Sequence, residues 1–309
     1  MNGPPPRILV SGASGMLGSA LRHALAARNL PVVQLVRHFP ISTSQLQWNP
    51  AAGADLAISR PESLEGLTAA VHFSGASLAA HRWTTAYRRE LTQSRVHSTQ
   101  SLAIALAGLS RPPQVFLAAS ATGIYGNRGD ELLDETSAHG SGFLADLCRE
   151  WEAAAQPASD AGIRVVHLRF GVVLGPGSGA LSRLLPLFRL GLGGPLGSGH
   201  QWMSWISLVD AVAAILFALE TPSLAGPLNV TAPEPVTNAD FTRFLAAAVH
   251  RPAFIPAPAA ALHLALGPMA DEALLTSVRA YPSRLTSAGF HFTHSRVDRA
   301  LAAALAPNQ

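Results

Sequence analysis

The 309-residue sequence predicts a doubly wound α/β fold, in which a parallel sheet is covered by helices on both faces. Short apolar runs alternate along the chain with longer helical segments rich in alanine and leucine. The runs are almost continuously apolar, which is typical of strands that are buried on both faces. A glycine-rich turn joins the first run to the first helical segment, as in a βαβ unit.

The first βαβ unit covers residues 7–36. Residues 7–11 form an apolar run bounded by turn residues and predict a buried strand. Glycines follow at residues 12–18, a helical pattern extends over residues 16–28, and residues 31–36 predict the second strand. The alternation continues with strands predicted at 70–74, 113–120 and 163–168, and with helices at 84–109 and 143–155.

The last third of the chain has a different pattern. Glycine-rich turns occur at residues 175–179 and 191–199, and six prolines lie between residues 227 and 258. Thr237-Asn-Ala-Asp240 fits a capping box before an apolar helix at residues 241–249. These features predict a smaller C-terminal lobe on the substrate side of the sheet.

Composition limits the function classes. The net charge is only +3 and the arginines are spread along the chain rather than clustered in blocks, so we expect no nucleic-acid partner despite a pI of about 9.7. Cys148 is the single cysteine, which excludes an internal disulfide. Residues 1–6 lack the apolar core of a signal peptide, and no run approaches the roughly 18 apolar residues of a membrane span. We therefore expect a cytoplasmic protein with no membrane partner.

The turn Gly12-Ala-Ser-Gly15-Met-Leu-Gly18 indicates a dinucleotide site of the Rossmann type. Its three glycines suit a tight turn, close approach of the backbone to a pyrophosphate, and close packing of the helix on the strand. The phosphates would lie on the helix N-terminus. A plain tight turn is the alternative, and the flanking strand and helix favour the dinucleotide.

The residue after the second strand indicates which dinucleotide binds. A site for NAD normally presents an acidic residue there for the ribose 2′-hydroxyl, but the chain has none before Asp55. Arg37 follows the strand instead, where a guanidinium can pair with the 2′-phosphate of NADP. The alternative is a solvated surface arginine. The sequence thus predicts NADP(H) as the cofactor.

Several motifs carry a family resemblance over nearly the whole chain. Beside the glycine turn, they lie at residues 74–77, 82–83, 94–95, 120–126, 169–175, 191–200 and 282–290. With them the chain resembles the extended short-chain dehydrogenases/reductases. More narrowly, it resembles the YfcH-like epimerase family, which carries a C-terminal DUF1731-type domain.

The resemblance implies a domain organisation and a set of cofactor contacts. Residues 1–170, with further elements from about 200–232, would form the NADP-binding core, and residues 171–309 mainly the substrate lobe, with the DUF1731-like segment at about 250–303. The implied contacts are Gly12, Ser14, Gly15, Met16, Leu17, Gly18, Arg37, Phe73, Ser74, Gly75, Glu90 and Arg95. Glu90 and Arg95 are equally well explained as a helix-surface pair. Family analogy also suggests a homodimer formed through the long helix.

The chain departs from this family pattern at the catalytic pair. Typical members use a tyrosine acid/base followed four residues later by a lysine. All 22 basic residues here are arginine, so that pair is absent. The resemblance would place it at Leu144 and Cys148, which cannot do the same work.

Ser120, Thr122 and Tyr125 remain as catalytic candidates. The resemblance aligns Ser120 with the hydroxyl that polarises a substrate carbonyl, and Tyr125 has a phenol that can act as an acid. The alternatives are that Ser120 satisfies a strand-end backbone group and that Tyr125 is a packing residue.

Two further groups of residues are candidates for a functional role. His291 and His294 lack neighbouring ligands in the sequence, so we expect no metal site. His200, Gln201, Trp202 and Trp205 fit either a substrate cleft or the core.

Together the sequence predicts an NADP(H)-binding oxidoreductase or epimerase-like protein. Its substrate would be a small carbonyl or hydroxyl compound or a nucleotide-sugar-like molecule. The missing catalytic pair keeps a second hypothesis open, a non-catalytic NADP(H)-binding sensor or interaction protein.

Overall fold

Seven parallel strands form the central sheet in a computed structural model, which describes residues 7–50, 58–177 and 179–306. The strands are β1 (Ile8–Ser11), β2 (Val32–Val36), β3 (Gln45–Gln47), β4 (Ala69–His72), β5 (Val115–Ala121), β7 (Arg164–Phe170) and β11 (Gly226–Val230). They lie in the order β3-β2-β1-β4-β5-β7-β11. The doubly wound α/β fold that the sequence predicts is confirmed. The proline-rich residues 1–6 lie outside the described residues.

Helices cover both faces of this sheet. One face packs against α1 (Met16–Ala27) and α6 (Leu208–Glu220), and the other packs against α2 (Thr85–Ala107) and α4 (Gln156–Asp160), with α3 (Phe143–Ala153) beside them. Neighbouring residues of one strand therefore enter different cores. Leu9 faces one core and Val10 the other, and both are fully buried. This arrangement explains why the strands are continuously apolar in sequence.

The strand order reverses between β1 and β4. The chain proceeds from β1 outward through β2 and β3, then crosses back to place β4 on the other side of β1. In such a sheet a crevice opens at the carboxyl ends of the strands on either side of the reversal. Gly12 follows β1 and Phe73 follows β4, so the glycine turn lies at this crevice.

Among the described residues, five more α-helices lie in the C-terminal lobe, and three pairs of short strands lie outside the central sheet. The helices are α5 (Gly179–Arg189), α7 (Asn238–Ala248), α8 (Ala259–Leu266), α9 (Ser283–Ser287) and α10 (Val297–Leu305). The paired strands are β8 (Val172–Leu174) with β10 (Trp205–Ser207), β9 (Trp202–Met203) with β12 (Val236–Thr237), and β6 (Leu132–Leu133) with β13 (Arg279–Ala280). A separate apolar core holds α5, α7 and α10 together, and Trp205 is fully buried in it.

The boundaries of α7 show how the predicted cap works. The Thr237 hydroxyl accepts a hydrogen bond from the Asp240 N–H at 3.1 Å and donates to the Asp240 carboxylate at 2.8 Å. The capping residue is confirmed, but the helix begins at Asn238, directly after the cap and before the predicted start at residue 241. Short elements such as β3, with the sequence Gln-Leu-Gln, lack an apolar run and were not predicted.

A buried polar chain interrupts the core between β1, β4 and α2. The His72 imidazole lies 2.6 Å from the Ser11 hydroxyl through Nδ1 and 3.1 Å from the Ser98 hydroxyl through Nε2. All three residues are completely buried. Burial lowers the pKa of His72 to about 3, so the imidazole stays neutral near pH 7.

No described helix has the length and apolarity required to cross a bilayer.

We predict that His72 makes folding stability depend on pH. Its pKa falls from an ordinary value of 6.5 to about 3 in the folded protein, so below pH 6.5 the unfolded chain binds a proton that the folded protein does not. His72 therefore leaves the free energy of unfolding unchanged above pH 6.5. Between pH 6.5 and pH 3 it lowers that free energy by about 1.4 kcal/mol for each unit by which the pH falls.

Urea unfolding of the wild type and His72→Gln between pH 7 and about pH 5 tests this. The glutamine amide can still reach both hydroxyls without titrating, so the gap between the two proteins should narrow as the pH falls. His97→Gln is the control, because the exposed His97 imidazole is hydrated in both states. A constant gap between wild type and His72→Gln would show that the buried imidazole does not resist protonation.

Candidate cofactor and active site

The glycine turn forms a cradle lined by backbone atoms. Side chains in place of its glycines would occupy this space. Gly12 has a φ of 65°, and a Cβ there would lie 2.9 Å from the carbonyl carbon of Phe73. A Cβ on Gly18 would lie 2.2 Å from the Gly12 carbonyl oxygen, which is far inside contact distance. Gly15 donates its N–H to Gly12 O at 3.0 Å and closes the turn. The three glycines thus bring β1, β4 and α1 into direct backbone contact.

The N-terminus of α1 is open to a ligand. Gly15 is the N-cap residue and supplies no side-chain hydrogen bond, and the first turn contains no acidic residue. The first N–H groups of a helix have no acceptor within the helix, and the helix dipole favours an anion there. Ser14 and Gly15 are exposed, and Met16 and Leu17 are half-buried. This cradle fits a pyrophosphate.

Arg37 lies at the carboxyl end of β2, beyond Val36. Its side chain is exposed and forms no ion pair with the described residues. An unpaired guanidinium at this position can bind a phosphate without first breaking an ion pair. The structure therefore leaves the predicted partner of a 2′-phosphate available.

Arg95 supports the loop after β4. Its side chain is buried and donates to Ala76 O at 2.9 Å and to Leu91 O at 3.2 Å. A Cβ on Gly75 would lie 3.2 Å from the Arg95 guanidinium carbon, so Gly75 lies directly on this side chain. Phe73 and Ser74 are half-buried in the same loop. Arg95 thus supports the loop from the side of the core.

The suggestion that Glu90 and Arg95 form a surface pair is wrong. Glu90 is exposed and lines a cavity of about 330 Å³ near the start of α2, whereas Arg95 points into the core. They form no ion pair among the described residues, because positions five apart on a helix face different directions.

Ser120 is hydrogen-bonded to a carboxylate. Its hydroxyl is buried and donates to Glu152 Oε1 at 2.7 Å. The hydroxyl therefore does not donate to a strand-end backbone group, and it is not free to donate to a ligand in the crevice. Its predicted role toward a substrate carbonyl would require this hydrogen bond to be exchanged.

Glu152 also forms a buried, two-pronged ion pair with Arg169. Arg169 Nε donates to Glu152 Oε1 at 2.8 Å and Nη2 donates to Oε2 at 2.9 Å. Burial by itself would raise the pKa of Glu152, but the hydrogen bonds and charge of Arg169 lower it. Burial by itself would lower the pKa of Arg169, but the hydrogen bonds and charge of Glu152 raise it. Both groups are therefore charged near neutral pH.

Tyr125 belongs to the same network. The side chain is fully buried, accepts from Arg169 Nη1 at 3.0 Å and donates to Asn229 Oδ1 at 2.7 Å. Burial raises the pKa of Tyr125, and the nearby Arg169 charge only partly opposes this. These contacts favour the packing interpretation of Tyr125 over a role as an acid.

Thr122 differs from the other two candidates. It begins a short 3-10 helix directly after β5, and its hydroxyl makes no hydrogen bond to another described residue. Among the three candidate hydroxyls it is the one without a protein partner in the part of the chain that the structure describes.

Leu144 and Cys148, which the resemblance aligns with the usual catalytic pair, lie near the start of α3. Leu144 lies 3.5 Å from where a Cβ on Gly123 would be, and Cys148 is buried one turn further along α3. Burial raises the pKa of Cys148 to about 12, so its thiol stays protonated near neutral pH. Neither side chain can transfer a proton as tyrosine and lysine do.

Sequence reasoning missed four residues that organise this region: Glu152, Arg169, Asn229 and Glu272. Ser120, Arg169 and Asn229 are cross-strand neighbours on β5, β7 and β11. One signal was available, since Arg169 and Asn229 are polar residues within otherwise apolar strands. Glu272 gave none. It reaches from the C-terminal lobe to accept the Leu144 N–H at 2.8 Å and so anchors the start of α3.

The residues that fit either a substrate cleft or the core have mainly structural contacts. Trp205 is fully buried and donates its indole N–H to Glu234 O at 2.8 Å, while Gln201 binds Leu196 O at 3.0 Å. Trp202 is half-buried and His200 is exposed.

The His294 imidazole lies 3.1 Å from the Ser207 hydroxyl. His291 is exposed. In the described ranges no three His, Cys, Asp or Glu side chains are grouped as metal ligands.

The crevice, the open glycine cradle and the parallel sheet define a class of dinucleotide-binding protein. Residues 8–230 match the NAD dependent epimerase/dehydratase family, and residues 257–304 match a domain of unknown function, DUF1731. The chain belongs to the NAD dependent epimerase/dehydratase family, which confirms the resemblance seen in its motifs.

Similar proteins cover almost the full length of the chain. Epimerase family protein MT2273 of Mycobacterium tuberculosis is 45% identical over 95% of this chain and 96% of its own. Epimerase family protein SDR39U1 of Homo sapiens is 35% identical, covering 96% and 98%.

Two solved structures share the fold. A crystal structure of human SDR39U1 with NADPH has a TM-score of 0.87 at 34% identity, covering 96% of this chain and 98% of that one. A nucleoside-diphosphate sugar epimerase from Corynebacterium glutamicum has a TM-score of 0.79 at 34% identity, covering 97% of this chain and 58% of that one.

We predict that Glu152→Gln is strongly destabilising. It leaves the Arg169 charge buried without its partner, which should cost about 3–5 kcal/mol of unfolding free energy. Replacing both residues, as Glu152→Leu with Arg169→Met, removes the stranded charge and should cost less than the sum of the single changes.

Urea unfolding of Glu152→Gln, of the single variants Glu152→Leu and Arg169→Met, and of the double variant measures the cost and the coupling. The matched control is Glu220→Gln, which breaks the exposed Arg28–Glu220 pair (46% and 64% exposed) and should cost less than about 1 kcal/mol. A similarly small cost for Glu152→Gln would mean that water reaches the Arg169 site.

Proposed function

We propose that this chain binds NADP(H) and uses it in oxidation or reduction of a small carbonyl or hydroxyl compound. The observation that carries the proposal is the open glycine cradle at α1 with an unpaired Arg37 at the end of the neighbouring strand. The cradle suits a pyrophosphate, and the arginine suits the additional phosphate that distinguishes NADP from NAD. The NADPH in the human SDR39U1 structure supports the same choice.

The proposed contacts follow the crevice. Gly12, Ser14, Gly15, Met16, Leu17 and Gly18 hold the pyrophosphate through backbone N–H groups, and Arg37 holds the 2′-phosphate. Phe73, Ser74 and Gly75 form the opposite wall, which Arg95 supports from the core. Glu90 is the least supported of these contacts because it lies on the exposed surface of α2.

Proton transfer must differ from that of typical members. When bound, the nicotinamide supplies or accepts the hydride. Thr122 can donate its uncommitted hydroxyl to a substrate oxygen without breaking a contact. Ser120 can do so only by releasing Glu152, and Tyr125 only by releasing Asn229. We therefore assign the oxygen-binding role to Thr122 ahead of the other two.

A second candidate function is a non-catalytic NADP(H)-dependent sensor or interaction protein. Leu144 and Cys148 replace the acid/base pair, while the Ser120 and Tyr125 hydroxyls are bound within the core. These observations favour a protein that retains the cofactor crevice without rapid chemistry. The two functions differ in whether bound NADPH is consumed.

We predict that Arg37→Ala weakens NADPH binding by about 10- to 100-fold and leaves NADH binding almost unchanged. The variant removes charge-assisted hydrogen bonds that only the 2′-phosphate can accept. Titration by nicotinamide fluorescence gives the Kd values, and Arg299→Ala, an exposed arginine on α10, is the control. Equal losses for both cofactors would remove Arg37 from the 2′-phosphate site.

We further predict that a panel of small carbonyl compounds contains one that oxidises bound NADPH through Thr122. Thr122→Val keeps the shape of the side chain and removes the hydroxyl, so kcat should fall about 10²-fold with an unchanged Kd for NADPH. Thr122→Ser should restore most of the rate. Tight NADPH binding without consumption by any compound would favour the sensor.

A further inference from the structure

An apolar surface with positive charge lies on the C-terminal lobe. We call it the lobe face; it is formed by the end of α5 with the residues after it, and by residues 250–255. Phe254 is 84% exposed and Leu190 is 72% exposed. The exposed apolar side chains of the face are Leu187, Leu190, Leu192, Phe254 and Ile255. Large apolar groups gathered at one surface indicate a binding partner.

The two segments of the lobe face are held side by side. Ile255 donates its N–H to Gly193 O at 3.2 Å. Arg251 Nε donates to Arg189 O at 3.2 Å, which fixes the other end of the contact. The two segments that carry the five exposed apolar side chains therefore lie next to each other.

The lobe face carries unpaired positive charge. Arg183, Arg189 and Arg251 are exposed and form no ion pair with the described residues. Residues 179–209 and 241–270 contain no aspartate or glutamate. The protein thus presents arginine and apolar side chains together without the acidic residues that normally balance a surface.

Helix α8 extends the apolar character beyond the face. None of its residues is buried, although its sequence Ala-Ala-Ala-Leu-His-Leu-Ala-Leu contains a single polar side chain. The helix starts near the face, because Ala257 just before it donates to Pro195 O at 2.9 Å. Helices of this composition are normally buried, so the exposed side of α8 also needs a covering surface.

We propose that the lobe face binds to a lipid surface with anionic headgroups. Leucine, isoleucine and phenylalanine can enter the headgroup boundary while the three arginines pair with lipid phosphates. A second copy of the chain would instead bring two sets of unpaired arginines together, which opposes association. The expectation of no membrane partner rests on the lack of a sequence run that could span a bilayer, and binding at the surface requires no such run.

Vesicle flotation with the full chain tests the proposal. Vesicles of phosphatidylcholine with about one third phosphatidylglycerol should bind the protein at low salt, and binding should weaken at high salt. Phe254→Ser with Leu190→Ser should abolish flotation. Arg189→Gln, which leaves the Arg251 contact to the Arg189 carbonyl in place, should lower the partition constant about fivefold. None of these residues lies in the cofactor crevice, so NADPH affinity should stay the same.

Matched variants elsewhere control for general surface effects. Phe39→Ser removes a phenylalanine that is 80% exposed near β3, and Arg60→Gln removes an exposed arginine in the same region. Both should float like the wild type. Absence of flotation, equal binding to pure phosphatidylcholine, or equal loss with the control variants would overturn the proposal. Light scattering that shows a dimer abolished by Phe254→Ser, without flotation, would assign the face to a second copy instead.

Discussion

The ion pair between Arg169 and Glu152 is the interaction on which the region around the carboxyl ends of the strands depends. Two opposite charges taken from water repay their desolvation only when the geometry is good and their remaining hydrogen-bonding groups are satisfied. Here Ser120 donates to the carboxylate and Tyr125 accepts from the guanidinium. The pair thereby fixes β5, α3 and β7 relative to one another.

The same network continues into the C-terminal lobe. Asn229 accepts from Tyr125 and donates its amide to Tyr281 O at 2.9 Å. Glu135 accepts the backbone N–H of Asn229 at 3.0 Å and that of Arg284 at 3.3 Å. A disturbance at the ion pair would therefore be transmitted to the lobe through buried hydrogen bonds. Glu272, which accepts the Leu144 N–H, makes a second polar connection between lobe and core.

Local patterns predicted the elements that depend on neighbouring residues. Continuous apolar runs marked the central strands, and glycine spacing marked the turn at α1, because backbone contact there tolerates no Cβ. The partner of Ser120 could not be predicted, since Glu152 lies 32 positions away on a helix. Asn229 lies 104 positions from Tyr125 and meets it only through the order of the strands. Distant polar pairs of this kind leave almost no local signal.

The network also explains why an arginine does not replace the missing lysine. In typical members the lysine lowers the pKa of the tyrosine acid. Arg169 lies beside the Tyr125 phenol, but its charge is compensated by Glu152, and burial still raises the pKa of Tyr125. The positive charge serves the ion pair rather than the phenol. A hydroxyl that acts at the crevice without breaking this network has to lie outside it, and Thr122, directly after β5, meets that condition.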